Sequence, residues 1–156
     1  MAKIIALLLL GLGVTLAQQS MSELAKSAGQ GDKPALQQLK THAEQGEAYA
    51  QLNLGLLYSR GEGVPKDFME AAAWYRRAAE QGNYLGQMKL SGAYSKGEGV
   101  PKDAVTAYMW VDLAAAQEPD DGFAKAQRDL QAREMTPEQI AEAQRRSREF
   151  KPSSGK

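Results

Sequence analysis

The stretch GEGVPKD at residues 61–67 occurs again without a change at residues 97–103. These seven residues lie inside a longer duplication, in which residues 48–83 align with residues 84–119 and 16 of the 36 positions are identical. A period of roughly 20–50 residues marks an array in which each unit buries its apolar face by stacking on a neighbour. The duplication therefore predicts a repeat array that presents a binding surface.

Each unit is predicted to form two helices that flank the glycine-containing loop. Gln51, Leu54 and Tyr58 recur at helical spacing before the first loop. After the loops, Trp74 and Trp110 are predicted to fill the space between helices, so that truncating either to alanine costs about 3–5 kcal/mol. The chain holds 25 Ala but only 5 Val and 3 Ile, which favours helices over strands. We therefore predict an all-α fold, a short α-solenoid of antiparallel helix pairs with helical caps.

Short capping patterns predict where these helices begin and end. Asp67 is placed to cap the helix after the first loop, and Glu70 would complete a capping box with it. Asp103 keeps the cap in the second copy, where Thr106 replaces the reciprocal glutamate. Gly82 is expected just past the end of the second helix, where a left-handed backbone is common.

The segment before the repeats is predicted to be an N-terminal cap. Residues 18–47 would form an atypical helix pair joined through Gly31 and Asp32. Leu36 and Leu39 match the core positions of a second helix. Such terminal pairs differ from the internal ones because one of their faces has no neighbour.

The segment after the repeats, residues 120–150, is predicted to form two capping helices. Phe123, Ala126 and Leu130 would form the apolar stripe of the first one. Residues 136–139, with the sequence TPEQ, combine an N-cap, a first-turn proline and a glutamine at the box position, and so predict the start of the second.

Both ends of the chain are predicted to lie outside this array. Residues 1–17 have the pattern of a secretory signal, with a positive charge at Lys3, an uncharged apolar run and small residues before a cleavage site near Ala17. The run is shorter than the ~20 residues of a membrane span, so a cleaved signal is favoured over an uncleaved anchor. We expect a periplasmic or secreted protein without a stable membrane anchor. Residues 151–156 are expected to be a disordered tail.

Composition argues against several classes of function. The 19 basic and 19 acidic residues balance, so there is no net field to collect nucleic acid. Cysteine is absent, which excludes disulfides, thiolate metal sites and cysteine nucleophiles. His42 is the single histidine, and a lone histidine on a helix is more often structural than catalytic. We predict no catalytic residue, no cofactor and no metal.

The repeated loop does not have the pattern of a phosphate-binding loop. A P-loop requires Gly-Lys followed by Ser or Thr, and a dinucleotide fingerprint requires a third glycine where Lys66 stands. The loop also joins two predicted helices rather than a strand and a helix. We expect its glycines to supply positive φ, Val64 to contact the core and Pro65 to stiffen the turn.

The order of these residues resembles the Sel-one-like repeat (SLR), a relative of the tetratricopeptide repeat (TPR). The resemblance covers residues 48–119 well and residues 32–47 in part. One departure is Ser91, where the family prefers glycine, and Gly92 is expected to preserve the close packing there. The positions that carry the resemblance in the first copy are Leu54-Gly55, Tyr58, Gly61-x-Gly63-Val64, Asp67, Ala71, Trp74, Ala78-Ala79 and Gly82.

The resemblance implies a right-handed superhelix and a role in binding proteins or peptides. In TPR relatives the exposed face of each first helix lines a concave groove, so this face is the predicted binding surface for an extended or helical peptide. The alternative is that the terminal helices cover the face and make it ordinary core, because large exposed apolar patches are uncommon on monomers. The face consists of Tyr49, Leu52, Leu56 and Arg60 in the first copy and of Leu85, Met88, Gly92 and Lys96 in the second.

We therefore expect an exported, non-enzymatic adaptor whose partner is a protein or peptide. An alternative from another class is a cell-envelope enzyme or a protein acting on peptidoglycan or β-lactams. Exported relatives linked to such activity are cysteine-rich, unlike this chain. A further alternative is a structural accessory subunit of an envelope complex. The sequence leaves the partner and the oligomeric state open.

Overall fold

The computed structural model describes residues 16, 18–118, 120 and 122–153. This part of the chain contains eight helices and no strand, which confirms the predicted all-α fold. The predicted signal lies outside the described residues except for Leu16, which is exposed. The helices are α1 (residues 18–29), α2 (Lys33–Glu44), α3 (Ala48–Arg60), α4 (Phe68–Glu80), α5 (Tyr84–Lys96), α6 (Ala104–Gln117), α7 (Gly122–Ala132) and α8 (Pro137–Glu149).

The helices form antiparallel pairs that stack side by side as a short α-solenoid. The two copies of the repeat are the pairs α3–α4 and α5–α6, and α4 contacts α5 across the boundary between them. At one end α2 packs on α3, and at the other end α7 and α8 both pack on α6. Apolar clusters follow one another along the stack, around Leu54, Leu90 and Ala114. Each pair therefore completes its core with residues of the next pair.

The repeated loop ends one helix and also joins neighbouring pairs. Gly61 ends α3 with a φ of 73°, as the loop pattern predicts. Gly63 has a φ of 70° and lies so close to α1 that an added Cβ would collide with the carbonyl oxygen of Ala28. Gly99, with a φ of 72°, is packed in the same way against the carbonyl oxygen of Phe68. The second glycine of each loop thus allows two backbones to touch where successive pairs meet.

The helix N-caps follow the predicted pattern with one correction. Asp67 caps α4, because its Oδ1 accepts a hydrogen bond from the backbone N–H of Glu70 at 3.1 Å. The capping box predicted for Glu70 is absent, because the Asp67 N–H already donates to the carbonyl oxygen of Tyr58 at 2.9 Å. A complete capping box does form at α8, between Thr136 and Gln139, as predicted.

A buried glutamine in each repeat ties three helices together. In the first repeat, Nε2 of Gln51 donates to the carbonyl oxygen of Ala43 at 3.0 Å, and Oε1 of Gln51 accepts from Nε2 of Gln81 at 2.8 Å. Ala43 belongs to the last turn of α2, where helix carbonyls lack partners within the helix. Gln87 makes the equivalent bonds in the second repeat, at 3.3 and 2.7 Å. We call this arrangement the glutamine clasp.

Ser91 is accommodated by a change on the facing helix. In the first repeat, a Cβ added to Gly55 would lie 2.7 Å from the ring of Tyr75, so only glycine fits there. In the second repeat Val111 takes the place of that tyrosine, and Ser91 donates from Oγ to a backbone carbonyl of α6 at 2.7 Å. The expectation that Gly92 preserves the close packing is wrong, because a Cβ added at Gly92 would meet nothing within 4 Å.

The C-terminal helices dock on α6 through small and polar side chains. The stripe predicted for α7 is wrong, because Phe123 is 62 % exposed, Leu130 is 55 % exposed and the buried residue is Ala124. Asp112 of α6 instead holds both cap helices. Its carboxylate lies 3.5 Å from the guanidinium of Arg128 in α7 and accepts a hydrogen bond from Ser147 Oγ in α8 at 2.6 Å.

The tail and the two tryptophans also differ in part from expectation. Trp110 is buried, and its ring contacts that of Phe150 edge to face, with the ring centroids 5.3 Å apart. Trp74 is only half-buried, and the guanidinium of Arg77 lies 4.4 Å from the centroid of its ring. Residues 151–153 of the predicted disordered tail are exposed, but the N–H of Ser153 donates to the carbonyl oxygen of Glu80 at 2.7 Å. Residues 154–156 lie outside the described part of the chain.

Candidate binding groove

A groove of about 610 Å³ runs along α5 on one face of the solenoid. It is lined by the end of α3, the start of α4, the length of α5 and one side of α7, so both repeats and the C-terminal cap contribute to it. Apolar and polar side chains alternate on its walls. The large apolar and aromatic residues are Phe68 and Tyr75 of α4, Tyr84, Leu85 and Met88 of α5, and Phe123 of α7.

The second-copy residues of the predicted binding face line this groove. Leu85, Met88, Gly92 and Lys96 are all among its lining residues. Leu85 is 48 % exposed, and Met88 is half-buried against the cluster around Ala114. This half of the predicted face therefore borders the groove.

The first-copy residues lie elsewhere. Leu52 is only 3 % exposed and belongs to the cluster that includes Leu90 of the second repeat, and Leu56 packs partly buried against that cluster. Leu52 is therefore core, and we do not retain it in the binding face. Tyr49 is 38 % exposed but lies outside the groove, as does Arg60, which is 3.6 Å from the carboxylate of Glu62.

Several groove residues were missed from the sequence because they do not belong to the first helix of a repeat. Lys66 comes from the loop, Phe68 from the start of α4, and Gln131 from α7. One feature of the sequence indicated the position of Phe68. Phe68 follows directly on the identical loop, yet the second copy has Ala104 there. A difference next to an invariant stretch marks a position that the two copies use differently.

The groove carries an excess of positive charge. Among the described residues, Lys66, Lys89 and Lys96 line it, against one carboxylate, Glu98. The whole chain has equal numbers of basic and acidic residues, so this excess is local. Nζ of Lys66 lies 4.7 Å from the centre of the Phe68 ring, a distance typical of a cation–π contact.

The hydroxyl of Tyr75 is held in place at the edge of the groove. It donates to Oγ of Ser59 at 3.0 Å, and Ser59 in turn donates to the carbonyl oxygen of Leu56 at 2.9 Å. Burial raises the pKa of Tyr75 above its ordinary value, so the phenol stays neutral and remains a hydrogen-bond donor. Ser59 is thereby committed to a structural chain and lacks a base to activate it.

A smaller pocket of about 160 Å³ adjoins the groove between α6 and α7. Ser95 and Gln131 line both the pocket and the groove, so the two spaces lie next to each other. Nε2 of Gln131 donates to Ser91 Oγ at 3.0 Å, while its Oε1 is buried without a partner among the described residues. The remaining walls are formed by Lys102, Ala104, Ala107, Glu134 and Met135.

The described residues contain no cluster of three histidine, aspartate or glutamate side chains that would hold a metal ion. His42 lies outside the groove, with Nδ1 2.7 Å from the carboxylate of Glu47 at the solvent-facing end of α2. That contact joins the last turn of α2 to the start of α3. His42 is therefore placed as a structural residue.

The chain matches a known repeat family over most of its central part. Residues 48–83 and 85–119 each match the family described as Sel1 repeat, which is the Sel-one-like repeat (SLR). With the helix-pair fold, these matches define the class: the chain is a Sel1-like repeat protein of the TPR-like superfamily. Proteins built from Sel1 repeats generally mediate protein–protein interactions.

Solved structures of the same class share this fold. One is a protective antigen of uropathogenic Escherichia coli with an SLR fold, which is 31 % identical over 83 % of this chain, with a TM-score of 0.74. Another is a Sel1 repeat protein from Oxalobacter formigenes, which is 34 % identical over 72 % of this chain, with a TM-score of 0.64. The aligned part makes up 29 % of the first protein and 48 % of the second.

A curated relative is matched over a shorter stretch. The secretory immunoglobulin A-binding protein EsiB of Escherichia coli O6:H1 is 54 % identical over 43 residues, which is 28 % of this chain. The match spans 9 % of that relative's length. Within the part of the chain that the structure describes, none of the helices has the length and apolar character of a membrane span.

Proposed function

We propose that this protein is an exported, non-enzymatic adaptor that binds a protein or peptide segment in the groove along α5. The observation that carries the proposal is the groove itself, where exposed apolar side chains and lysines share one face of the stacked repeats. Solenoids use such continuous surfaces to bind extended partners. The general role of Sel1 repeats in protein interactions supports the same class of partner.

The chemistry of the groove favours an adaptor over an enzyme that acts on cell-wall polymers. Glycoside hydrolysis commonly requires two carboxyl groups on opposite sides of the bond, and the described groove lining offers only Glu98. Acyl transfer requires a nucleophile paired with a base, and Ser59 instead donates to a backbone carbonyl. The proposed activity is therefore binding.

The names of the relatives support a protein partner without specifying it. EsiB is named for binding secretory immunoglobulin A, which shows that a protein containing a related segment binds another protein. The matched 43 residues are a small part of EsiB, so we carry over the class of partner and not the immunoglobulin.

Binding in the groove is tested by cross-linked co-purification with matched leucine variants. Leu85→Ala changes a groove residue that is 48 % exposed, and Leu130→Ala changes a residue of similar exposure, 55 %, outside the groove. We expect partners cross-linked to the wild type to be lost from the Leu85→Ala, Met88→Ala double variant and retained by Leu130→Ala. Equal recovery of partners by the Leu85→Ala, Met88→Ala double variant and by Leu130→Ala, at unchanged melting temperature, would contradict binding in the groove.

Export is tested separately on the full chain. The predicted signal supports a mature protein that begins near Gln18. N-terminal sequencing of the protein from the periplasm or the medium is expected to find that start. Recovery of the uncleaved chain from the cytoplasm alone would refute export while leaving the groove proposal intact.

A further inference from the structure

We propose that the groove selects an acidic peptide and that the adjoining pocket receives an aromatic side chain of that peptide. This inference rests on the proposed function and specifies the chemistry of its partner. It combines two features of the described structure: the charge of the groove and the shape of the pocket.

The charge of the groove is complementary to an acidic segment. Lys89 and Lys96 are exposed along α5, Lys66 flanks them on the loop side, and Glu98 is the one carboxylate among the described lining residues of the groove. The pocket wall adds one charge of each sign, Lys102 and Glu134. In a chain with equal numbers of acidic and basic residues, this local excess attracts carboxylates and disfavours basic segments. The apolar walls meanwhile require a ligand with apolar side chains between its charges.

The pocket lies where the two repeats differ in sequence. Where the first repeat places the ring of Phe68, the second has Ala104, which lines the pocket. Where the first repeat has Tyr75, the second has Val111, which lines the groove beside it. The second repeat does gain Tyr108 in place of an alanine, but that ring is buried and lines neither space. Of these two ring positions, only that of Phe68 is exposed, and its absence leaves space at the pocket.

The volume of the pocket suits one aromatic ring. It measures about 160 Å³, and an engineered apolar cavity of about 150 Å³ in another protein binds benzene. Met135 and Ala107 provide apolar contacts for a ring, and Lys102, the sequence equivalent of Lys66, also lines the pocket. A bound aromatic side chain would restore the contact between lysine and ring that the first repeat makes internally.

The inference is tested by selecting phage-displayed random dodecapeptides on the purified protein. We expect the selected sequences to be enriched in Asp and Glu around one Phe, Tyr or Trp, and their affinity to fall as salt rises. Affinities of the synthetic selected peptides are then measured on two pairs of variants.

The first pair tests charge. Lys89→Gln with Lys96→Gln is expected to weaken binding by roughly three- to tenfold at low salt, the range for two exposed ion pairs. The control, Lys33→Gln with Lys125→Gln, removes the same charge from exposed positions outside the groove and should leave affinity unchanged.

The second pair tests the pocket. Ala104→Phe restores the ring of the first repeat and is expected to abolish the preference for a peptide with an aromatic residue over its leucine analogue. Ala126→Phe adds the same ring at an exposed position of α7 outside the groove and should keep that preference. Because both alanines are exposed, neither variant has to repack the core.

The outcomes separate this inference from the proposed function. Selected peptides that lose affinity for the Leu85→Ala, Met88→Ala variant but lack acidic or aromatic residues would overturn the inference and leave the groove proposal standing. Peptides that respond to neither the leucine–methionine variant nor the lysine variant, or no selected peptide at all, would overturn both. Acidic aromatic peptides that respond to both variant pairs support the inference.

Discussion

Gly55 and Gly92 show that glycines inside helices have opposite roles in the two repeats. At Gly55 an added Cβ would lie 2.7 Å from the Tyr75 ring, so Gly55→Ala forces a buried ring to move. We expect a loss of about 1–3 kcal/mol in the free energy of unfolding, the usual cost of overpacking. Urea denaturation followed by circular dichroism measures it.

Gly92→Ala is the matched control. Its Cβ would meet nothing within 4 Å, so the change removes only the flexibility of a helical glycine. Alanine should stabilise α5 there by about 0.5–1 kcal/mol. If Gly55→Ala and Gly92→Ala destabilised the protein by similar amounts, the result would contradict the open space described around Gly92.

Two requirements explain why residue 99 is a glycine, and experiment can separate them. Gly99 has a φ of 72°, and a Cβ there would collide with the carbonyl oxygen of Phe68. Gly31 has a φ of 97° but would meet nothing within 4 Å. Gly31→Ala should therefore cost about 1–2 kcal/mol for the left-handed backbone alone.

Gly99→Ala is expected to cost distinctly more than Gly31→Ala in the same denaturation assay. The additional loss reports the contact between successive helix pairs, since the backbone conformation is left-handed in both cases. Equal losses would show that the loop of the second repeat does not pack against the first as described.

At the level of single elements, α8 carries an exposed ionic network. Glu142 accepts hydrogen bonds from Arg145 at 2.9 Å and from Arg146 at 2.7 Å, and Arg145 also contacts Glu149 at 2.7 Å. The hydrogen bonds from Arg145 and then Arg146 lower the pKa of Glu142 from 4.5 to about 2. The folded state therefore favours the ionised carboxylate more than the unfolded state does.

The pH dependence follows from this direction of the shift. Stability from Glu142 is fully present above its unfolded pKa of 4.5 and is lost as the pH falls through its folded pKa of about 2. We expect the free energies of unfolding of wild type and Glu142→Gln to differ at pH 7 and to converge between pH 4.5 and 2. In about 1 M salt, where the screening length is about 3 Å, the difference at pH 7 should shrink. A constant difference across this pH range would contradict the network.

The elements of the two repeats were predictable because their signals are local. Helical spacing, the capping aspartates and the loop glycines are read within a few residues, and the structure confirms helices on both sides of each loop. The buried face of α7 was not predictable in this way. It buries Ala124 rather than Phe123 or Leu130, because Asp112 of a different helix fixes the docking through Arg128.

Across the whole molecule, position in the array decides which copy of the binding face is open. Leu52 and Met88 are equivalent in sequence, yet Leu52 belongs to a cluster that contains Leu90 of the next repeat, whereas Met88 faces α7 and lines the groove. Helical periodicity places both on one predicted face. It carries no information on which neighbour covers it, so half of the site could be predicted and half could not.

By the same argument, α8 covers the C-terminal end of the array. A further prediction concerns the removal of this helix. Trp110 is buried beside Phe150, whereas Trp74 is half-buried. In a Trp74→Phe background, fluorescence reports on Trp110 alone. Deleting residues 137–156 is expected to shift its emission to longer wavelength and lower the melting temperature. An unshifted emission from the truncated chain would show that α8 does not cover Trp110.

The glutamine clasp has a consequence for how proteins of this class change length. Ala43 and Ala79 are equivalent residues, 36 positions apart, and each presents its carbonyl oxygen to the clasp glutamine of the following pair. A third copy of residues 48–83 spliced after Asn83 would place its glutamine against the carbonyl oxygen of Ala79 and would offer its own equivalent of that carbonyl to Gln87. One compensating change is required, because the copy carries Ala50 where Gly86 stands, and a Cβ at Gly86 would lie 2.9 Å from Ala78. The contacts between neighbouring helix pairs are therefore suited to growth by tandem gene duplication. Each added unit would lengthen the molecule while its two ends stay the same.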